Sequence, residues 1–303
     1  MRPRIIVITG PTGVGKSGVA SKIAKMMNGE IINADASQIR RQLSIGTAKP
    51  DLSKVEVKHH LFDIIDAWES YSVKDYQTQA QTTIQEVIKR NKLPIVVGGT
   101  GLYIASLVGD YPLDGSTRDP LFSLKFEHLT NEQLHEELKK IDLNQSLTIH
   151  PNNRRRVLRA LELHDKALTY EKKVVEPLFE ALIICLTTDR SQLYERINAR
   201  IEAMFEMGWI DEVKQLINAN IDISLLQEIG YAEIKDYLDG ITNLDFTKQI
   251  IKQKTRNYAK RQMTWFRNKL SCHDVVNDFI NPKMTLNLIN EEIRNFLQSE
   301  EEK

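Results

Sequence analysis

Gly10-Pro11-Thr12-Gly13-Val14-Gly15-Lys16-Ser17 satisfies the pattern G-x-x-x-x-G-K-[ST] at each of its four fixed positions. The apolar run Ile5-Ile6-Val7-Ile8 precedes it, and a helical pattern (Val19, Ile23, Met26, Met27) follows. Strand, glycine-rich turn and helix in that order form a phosphate cradle. The glycines let the backbone curl until successive N–H groups aim at phosphate oxygens, and the helix adds the positive end of its dipole. Lys16 supplies a point charge for the terminal phosphates, and the Ser17 hydroxyl suits Mg²⁺. The bland alternative is a chance match, a glycine-rich turn with a surface lysine. The motif sets the fold class as α/β with a parallel sheet, and the site as one for a polyphosphate of unspecified kind.

Working outward, Ile31-Ile32 reads as a second strand leading into Asn33-Ala34-Asp35-Ala36-Ser37-Gln38. In a parallel sheet both strands end at the same edge, so Asp35 is expected beside the phosphate loop; the alternative is a helix N-cap. Ile45-Gly46-Thr47-Ala48-Lys49-Pro50 reads as a loop whose lysine seeks phosphate. His59 to Ile64 reads as a strand, where adjacent histidines point to opposite faces and make no paired metal site. Ser72 caps a helix running to about Asn91, with Asp75 in its first turn. Pro94-Ile95-Val96-Val97 is a central strand, and Gly98-Gly99-Thr100 at its end brings a hydroxyl to the ligand-binding edge. No aspartate of the usual Mg²⁺-holding kind ends that strand; Asp63 is the expected substitute.

The chain has 303 residues, 41% hydrophobic and 27% charged, with zero net charge. Any nucleic-acid contact therefore needs a local basic patch rather than bulk charge. Cys185 and Cys272 have no metal or disulfide spacing. The glycine-rich loop interrupts the N-terminal apolar run, so no signal peptide is expected, and no apolar stretch nears the roughly 20 residues of a membrane span. A cytoplasmic enzyme without membrane contact, acting as a monomer, is the expectation.

Composition shifts at Gly109 to Pro120, and a charged helical stretch follows to about Pro177. It contains His150-Pro151-Asn152-Asn153-Arg154-Arg155-Arg156-Val157-Leu158-Arg159. The expected organisation is a phosphate-loop core over 1–112 and 179–303 with a helical insertion over 113–178. The arginine cluster is either a solvated helix start or a phosphate contact. Ala181 to Leu186 returns to the sheet, and the next helix carries Arg196 and Arg200 on one face. Helices are expected around Ile210 to Asn218 and Leu225 to Leu238. A long helix from Thr247 to Leu270 has Ile251, Tyr258 and Trp265 as an apolar seam, read as core. Lys248, Lys252, Arg256, Lys260 and Arg267 form a basic stripe. A last helix runs from Lys283 to about Leu297.

Taken together, Gly10–Ser17, Asp35-Ala36-Ser37-Gln38, Ile45–Pro50 and Val97–Tyr103 resemble the tRNA dimethylallyltransferases. So do His150-Pro151-Asn152 with Arg156 and Arg159, and Lys254-x-Arg256-x-Tyr258-Ala259-Lys260-Arg261-Gln262-x-Thr264-Trp265-Phe266-Arg267. The order is the family's and the motifs span nearly the whole chain. The resemblance implies transfer of a dimethylallyl group from dimethylallyl diphosphate to N6 of the adenosine 3′ to the anticodon, in tRNAs reading codons that begin with U. It implies Asp35 as general base, with Thr100 lining the channel where base and allyl carbon meet. Gly10 to Ser17, Arg196 and Arg200 would hold diphosphate, with Ser17 on Mg²⁺. Asp35, Ala36, Ser37, Gln38, Arg155, Arg156, Val157, Leu158, Arg159, Arg256 and Lys260 would meet the anticodon stem-loop. Family members generally have Ser at position 36 and Tyr at position 40; here Ala36 lacks that hydroxyl, and Arg40 offers a phosphate contact or an altered neighbouring-base preference. The rival readings are a small-molecule kinase using ATP, a non-catalytic RNA-binding module, and a prenyltransferase acting on free adenine nucleotides.

Overall fold

A continuous run of Ile and Val in Arg4–Thr9 (β1) makes a strand buried on both faces. In the computed structural model, which describes residues 2–109, 119–166 and 177–299, it lies inside a parallel sheet. In chain order follow α1 (Lys16–Met26), β2 (Gly29–Asn33), β3 (His59–His60), α2 (Val73–Lys89), β4 (Leu93–Val97) and α3 (Gly101–Val108). Then come α4 (Pro120–Leu124), α5 (Asn131–Ile141), α6 (Leu143–Thr148) and α7 (Arg154–Asp165). The sheet resumes with β5 (Glu180–Thr187), followed by α8 (Arg190–Glu206), α9 (Trp209–Asn218), α10 (Tyr231–Leu238), α11 (Leu244–Lys269), β6 (His273–Val276) and α12 (Pro282–Gln298).

The described strands run in the order β3-β2-β4-β1-β5-β6, all pairs parallel, with Ile6 opposite both Ile95 and Leu182. Alternate residues serve opposite faces. Ile6 and Ile8 join Ile31, Ile95 and Ile184 in a core with α1, α8 and α9, whereas Ile5 and Val7 join Ile32, Val96 and Ile183 in a core with α2 and α3. Because every strand runs the same way, all their C-terminal ends open on one edge of the sheet.

Two compact units result, Met1–Tyr111 with Glu176–Lys303, and Pro112–Val175. The second has its own core of Phe122, Leu134, Leu138, Val157, Ala160 and Leu161. The composition break at Gly109 to Pro120 lies largely outside the described residues.

Some expected elements differ. The strand expected over 59–64 stops after His60, because Leu61 and Asp63 take φ of 61° and 53°, outside any strand. The helix expected from Leu225 begins at Tyr231, after a 3₁₀ turn at Ile223–Leu225 and Gly230 at φ 109°. β6 has no counterpart in the sequence reading. Ser72 caps α2 as expected, with Asp75 closing a reciprocal capping box.

Gly98 shows how closely strands β2 and β4 approach at this edge. A Cβ there would lie 2.0 Å from the Ala34 carbonyl oxygen, a backbone atom that cannot swing aside. Gly98→Ala should therefore cost about 3 kcal/mol of stability, the upper part of the usual overpacking range. A denaturant midpoint indistinguishable from the unaltered chain would contradict that packing.

Candidate active site

The loop after β1 turns through Gly10, Gly13 and Gly15 at φ of 139°, 86° and 91°, conformations that side chains with a Cβ rarely adopt. Gly15 caps α1 without a side chain, leaving the first N–H groups of the helix for a ligand. Lys16 folds back over the loop, its Nζ donating to Gly10 O and Pro11 O at 2.9 Å each. Burial draws its pKa down to about 8, opposed by the charge of Asp35 and reinforced by Arg200.

A cavity of about 500 Å³ opens here, lined by Lys16, Ser17, Asp35, Arg196 and Arg200 among others. Arg196 and Arg200 stand one turn apart on α8. Arg196 Nε donates to Gly13 O at 3.1 Å, and its guanidinium lies 3.7 Å from the centre of the Phe279 ring. Burial lowers the pKa of Arg200, Asp35 raises it and Arg196 lowers it. Among the lining residues four cations (Lys16, Arg196, Arg200, Arg261) face two carboxylates (Asp35, Glu228), so the cavity carries the positive excess a polyanion needs. Ile31, Phe62, Ile201, Met204, Trp209 and Ile229 supply an apolar wall.

Asp35 sits just past β2, as the parallel topology requires. Its N–H donates to Asn33 Oδ1 at 3.0 Å, and its own Oδ1 accepts from Ser37 N at 3.0 Å. The carboxylate thus caps a turn through one oxygen while lining the cavity. Thr100 does not line this cavity, contrary to expectation. Its Oγ1 accepts from Ala36 N at 2.9 Å and its N–H donates to Ala34 O at 3.1 Å, so it holds the Asp35 turn in place. Gln262, almost fully buried, accepts from Thr12 N and donates to Gly99 O, both at 2.9 Å, tying the phosphate loop to the end of β4.

Other expected contacts are corrected. Ala36 is half-buried and packs against the α2–α3 core. Gln38 lines the cavity but its Nε2 donates to Thr47 O and Ala48 O, fastening one loop to another. Arg40 is no phosphate seeker: Nη1 donates to Asp66 O, Ala67 O and Glu69 O, and Nε pairs with Glu228 at 3.4 Å. Lys49 is buried against Asp63, which removes both the expected phosphate lysine and the substitute metal carboxylate. Glu212 on α9, passed over in the sequence, accepts from the N–H groups of Ser44, Ile45 and Gly46 and from Tyr231 OH. It thereby shapes the loop whose Gly46 and Thr47 line the cavity. Tyr258 is cavity wall rather than core, whereas Trp265 packs on Gly101 as expected.

The basic stripe of α11 is partly neutralised. Lys248 and Lys252 both bind Glu202, and Arg256 Nη1 donates to Asn198 Oδ1 at 2.8 Å. Lys260 and Arg267 are exposed. In the helical unit, Arg155 and Arg156 are exposed on α7, but Val157 is wholly buried and Leu158 packs beside it. Arg159 pairs with the buried Glu162 at 2.8 Å. Val157, Leu158 and Arg159 therefore serve the unit's interior, because one face of an amphipathic helix must close its core.

Ser17 opens α1 exposed, at the cavity wall. No group of three or more His, Cys, Asp or Glu among the described residues could cage a metal. That donor set fits Mg²⁺ held by one protein oxygen with substrate oxygens and water, and does not fit a protein-caged cation.

The sequence pattern of the IPP transferase family matches residues 38–269. A tRNA dimethylallyltransferase of Anoxybacillus flavithermus is 42% identical over 289 residues, covering 92% of this chain and 93% of its own. The crystal structure of a full-length tRNA isopentenylpyrophosphate transferase from Bacillus halodurans superposes with a TM-score of 0.73 at 38% identity, covering 100% of this chain and 99% of that one. A eukaryotic dimethylallyltransferase described as acting on tRNA gives a TM-score of 0.81 at 27% identity, over 98% of this chain and 80% of that one.

Proposed function

The chain belongs to the IPP transferase family, and from that premise we propose that it moves a dimethylallyl group from dimethylallyl diphosphate to N6 of the adenosine 3′ to the anticodon, in tRNAs that read codons beginning with U. The observation that carries the reading is a carboxylate, Asp35, facing a three-cation phosphate cradle across one cavity with an apolar wall.

The carbon–oxygen bond of the allylic diphosphate breaks only if the departing charge is met. Loop N–H groups, Lys16, Arg196 and Arg200 meet it from two sides, aimed at charge that grows during the reaction. Mg²⁺, held by Ser17 when bound, supplies further neutralisation of the diphosphate oxygens. The adenine N6 lone pair forms the new carbon–nitrogen bond, and Asp35 accepts the proton that N6 releases. Thr100 and Asn33 keep the Asp35 turn in register. Ile201, Met204 and Trp209 keep water from the allyl group. The target base leaves its stack to reach the cavity, at a cost of a few kcal/mol.

The kinase reading leaves the apolar wall without a ligand, and the relatives do not share it. Isoprenoid incorporation into tRNA but not into free adenosine nucleotide is the expected assay result. Phosphate release from ATP with no isoprenoid transfer would overturn the proposal. No helix among the described residues is long and apolar enough to cross a membrane, and we place the enzyme with its tRNA in the cytoplasm.

Arg156 is the arginine of α7 best placed for RNA phosphate, exposed and outside the ion pair of Arg159. Arg156→Ala should lower the salt-dependence slope of tRNA binding by about 0.9 if it meets one duplex phosphate. An unchanged slope would return it to a solvated helix face.

A further inference from the structure

Resting on the diphosphate reading above, we infer that Asn277 and Phe279, in the turn after β6, are positioning residues of the phosphate site. β6 is an edge strand parallel to its neighbour, so its C-terminal end arrives at the same sheet edge as the phosphate loop. Asn277 N donates to Thr187 O at 2.8 Å, pinning the turn to β5. Its side chain, 5% exposed, donates from Nδ2 to Val14 O at 2.8 Å.

That single bond has a directional consequence. The Val14 carbonyl and the Gly15 N–H share one planar trans peptide and point opposite ways. Holding the carbonyl outward turns the Gly15 N–H toward the anion side of the loop. The contact is close: a Cβ on Gly15 would lie 2.8 Å from Asn277 Nδ2 and 3.4 Å from the Phe279 ring.

Phe279 acts on the other wall. Its ring face lies under the Arg196 guanidinium, whose Nε already donates to Gly13 O. The stack fixes the plane of the guanidinium and leaves its Nη groups, which have no protein acceptor among the described residues, for diphosphate. The turn is itself rigid. Asp278 N donates to Thr285 Oγ1, and Asp278 Oδ1 accepts from Ile280 N and Asn281 N.

The test uses the full chain and inorganic diphosphate as the calorimetric probe, beside steady-state kinetics. Phe279→Leu should weaken diphosphate binding and raise KM for dimethylallyl diphosphate, each by about fivefold. Melting temperature and KM for tRNA should not move, and Phe279→Tyr should restore both values. Asn277→Ala should weaken diphosphate binding by about tenfold, since a buried carbonyl loses its donor. Unaltered affinity in both Phe279→Leu and Asn277→Ala, or a loss that tracks melting temperature, would overturn the inference and leave the functional reading standing. No diphosphate binding by the unaltered chain would overturn both.

Discussion

Asp35→Asn lowers the single-turnover transfer rate by about two orders of magnitude or more, measured with saturating tRNA and dimethylallyl diphosphate, because Asn cannot take the amine proton. The substitution is well matched to the local structure. Asn offers the same Oδ1 to Ser37 N, so the turn that Asp35 caps should persist. Asp35 also favours the charged forms of Lys16 and Arg200. Removing that charge lowers the pKa of Lys16 further below about 8, so rates should be compared at a pH well under 7 and with dimethylallyl diphosphate saturating. A turn cap alone would be served nearly as well by Asn. A loss under about threefold would leave Asp35 as a cap and remove it from the chemistry.

Lys16→Ala should cut kcat/KM for dimethylallyl diphosphate by about 10²–10³, the usual cost of removing one donor aimed at developing negative charge. The fold should survive, since among the described residues the ammonium bonds only the Gly10 and Pro11 carbonyls, and the lysine lines an open cavity. The same lysine gives a pH signature. With its pKa drawn down to about 8 by burial, the free enzyme loses this charge as pH rises through that value. The unaltered chain should accordingly lose kcat/KM above about pH 8, and Lys16→Ala should lose that limb of the profile. Normal turnover of Lys16→Ala at saturating substrate would contradict the role given to the loop.

The phosphate loop was legible because its glycines and lysine answer to phosphate geometry rather than to distant neighbours. Asp35 followed from it, since a parallel sheet sends β1 and β2 to one edge. β6 was not legible: three of its four residues are exposed, so it offers no apolar run, only a ladder with β5. Leu61 looks like a strand residue and nothing in it announces its left-handed backbone, whereas Asp63 is of a type that tolerates that conformation. The basic residues misled for a related reason. Glu202 and Asn198 on α8 engage Lys248, Lys252 and Arg256 on α11, and those pairings exist only once the two helices pack, whereas Arg159 meets Glu162 three residues on along its own helix. Arg40 likewise turns away from the cavity because carbonyls at 66, 67 and 69 converge on it. Asn277 and Glu212 escaped notice because each shapes the site through backbone atoms of another segment, and Phe279 because it acts through the Arg196 side chain on α8.

The most direct measurement is nucleoside mass spectrometry, with position mapping, of an unmodified tRNA incubated with the protein, Mg²⁺ and dimethylallyl diphosphate. The account predicts N6-dimethylallyladenosine at the nucleotide 3′ to the anticodon, with one diphosphate released for each group transferred. Unmodified adenosine at that nucleotide after complete incubation, or orthophosphate as the released product, would contradict it.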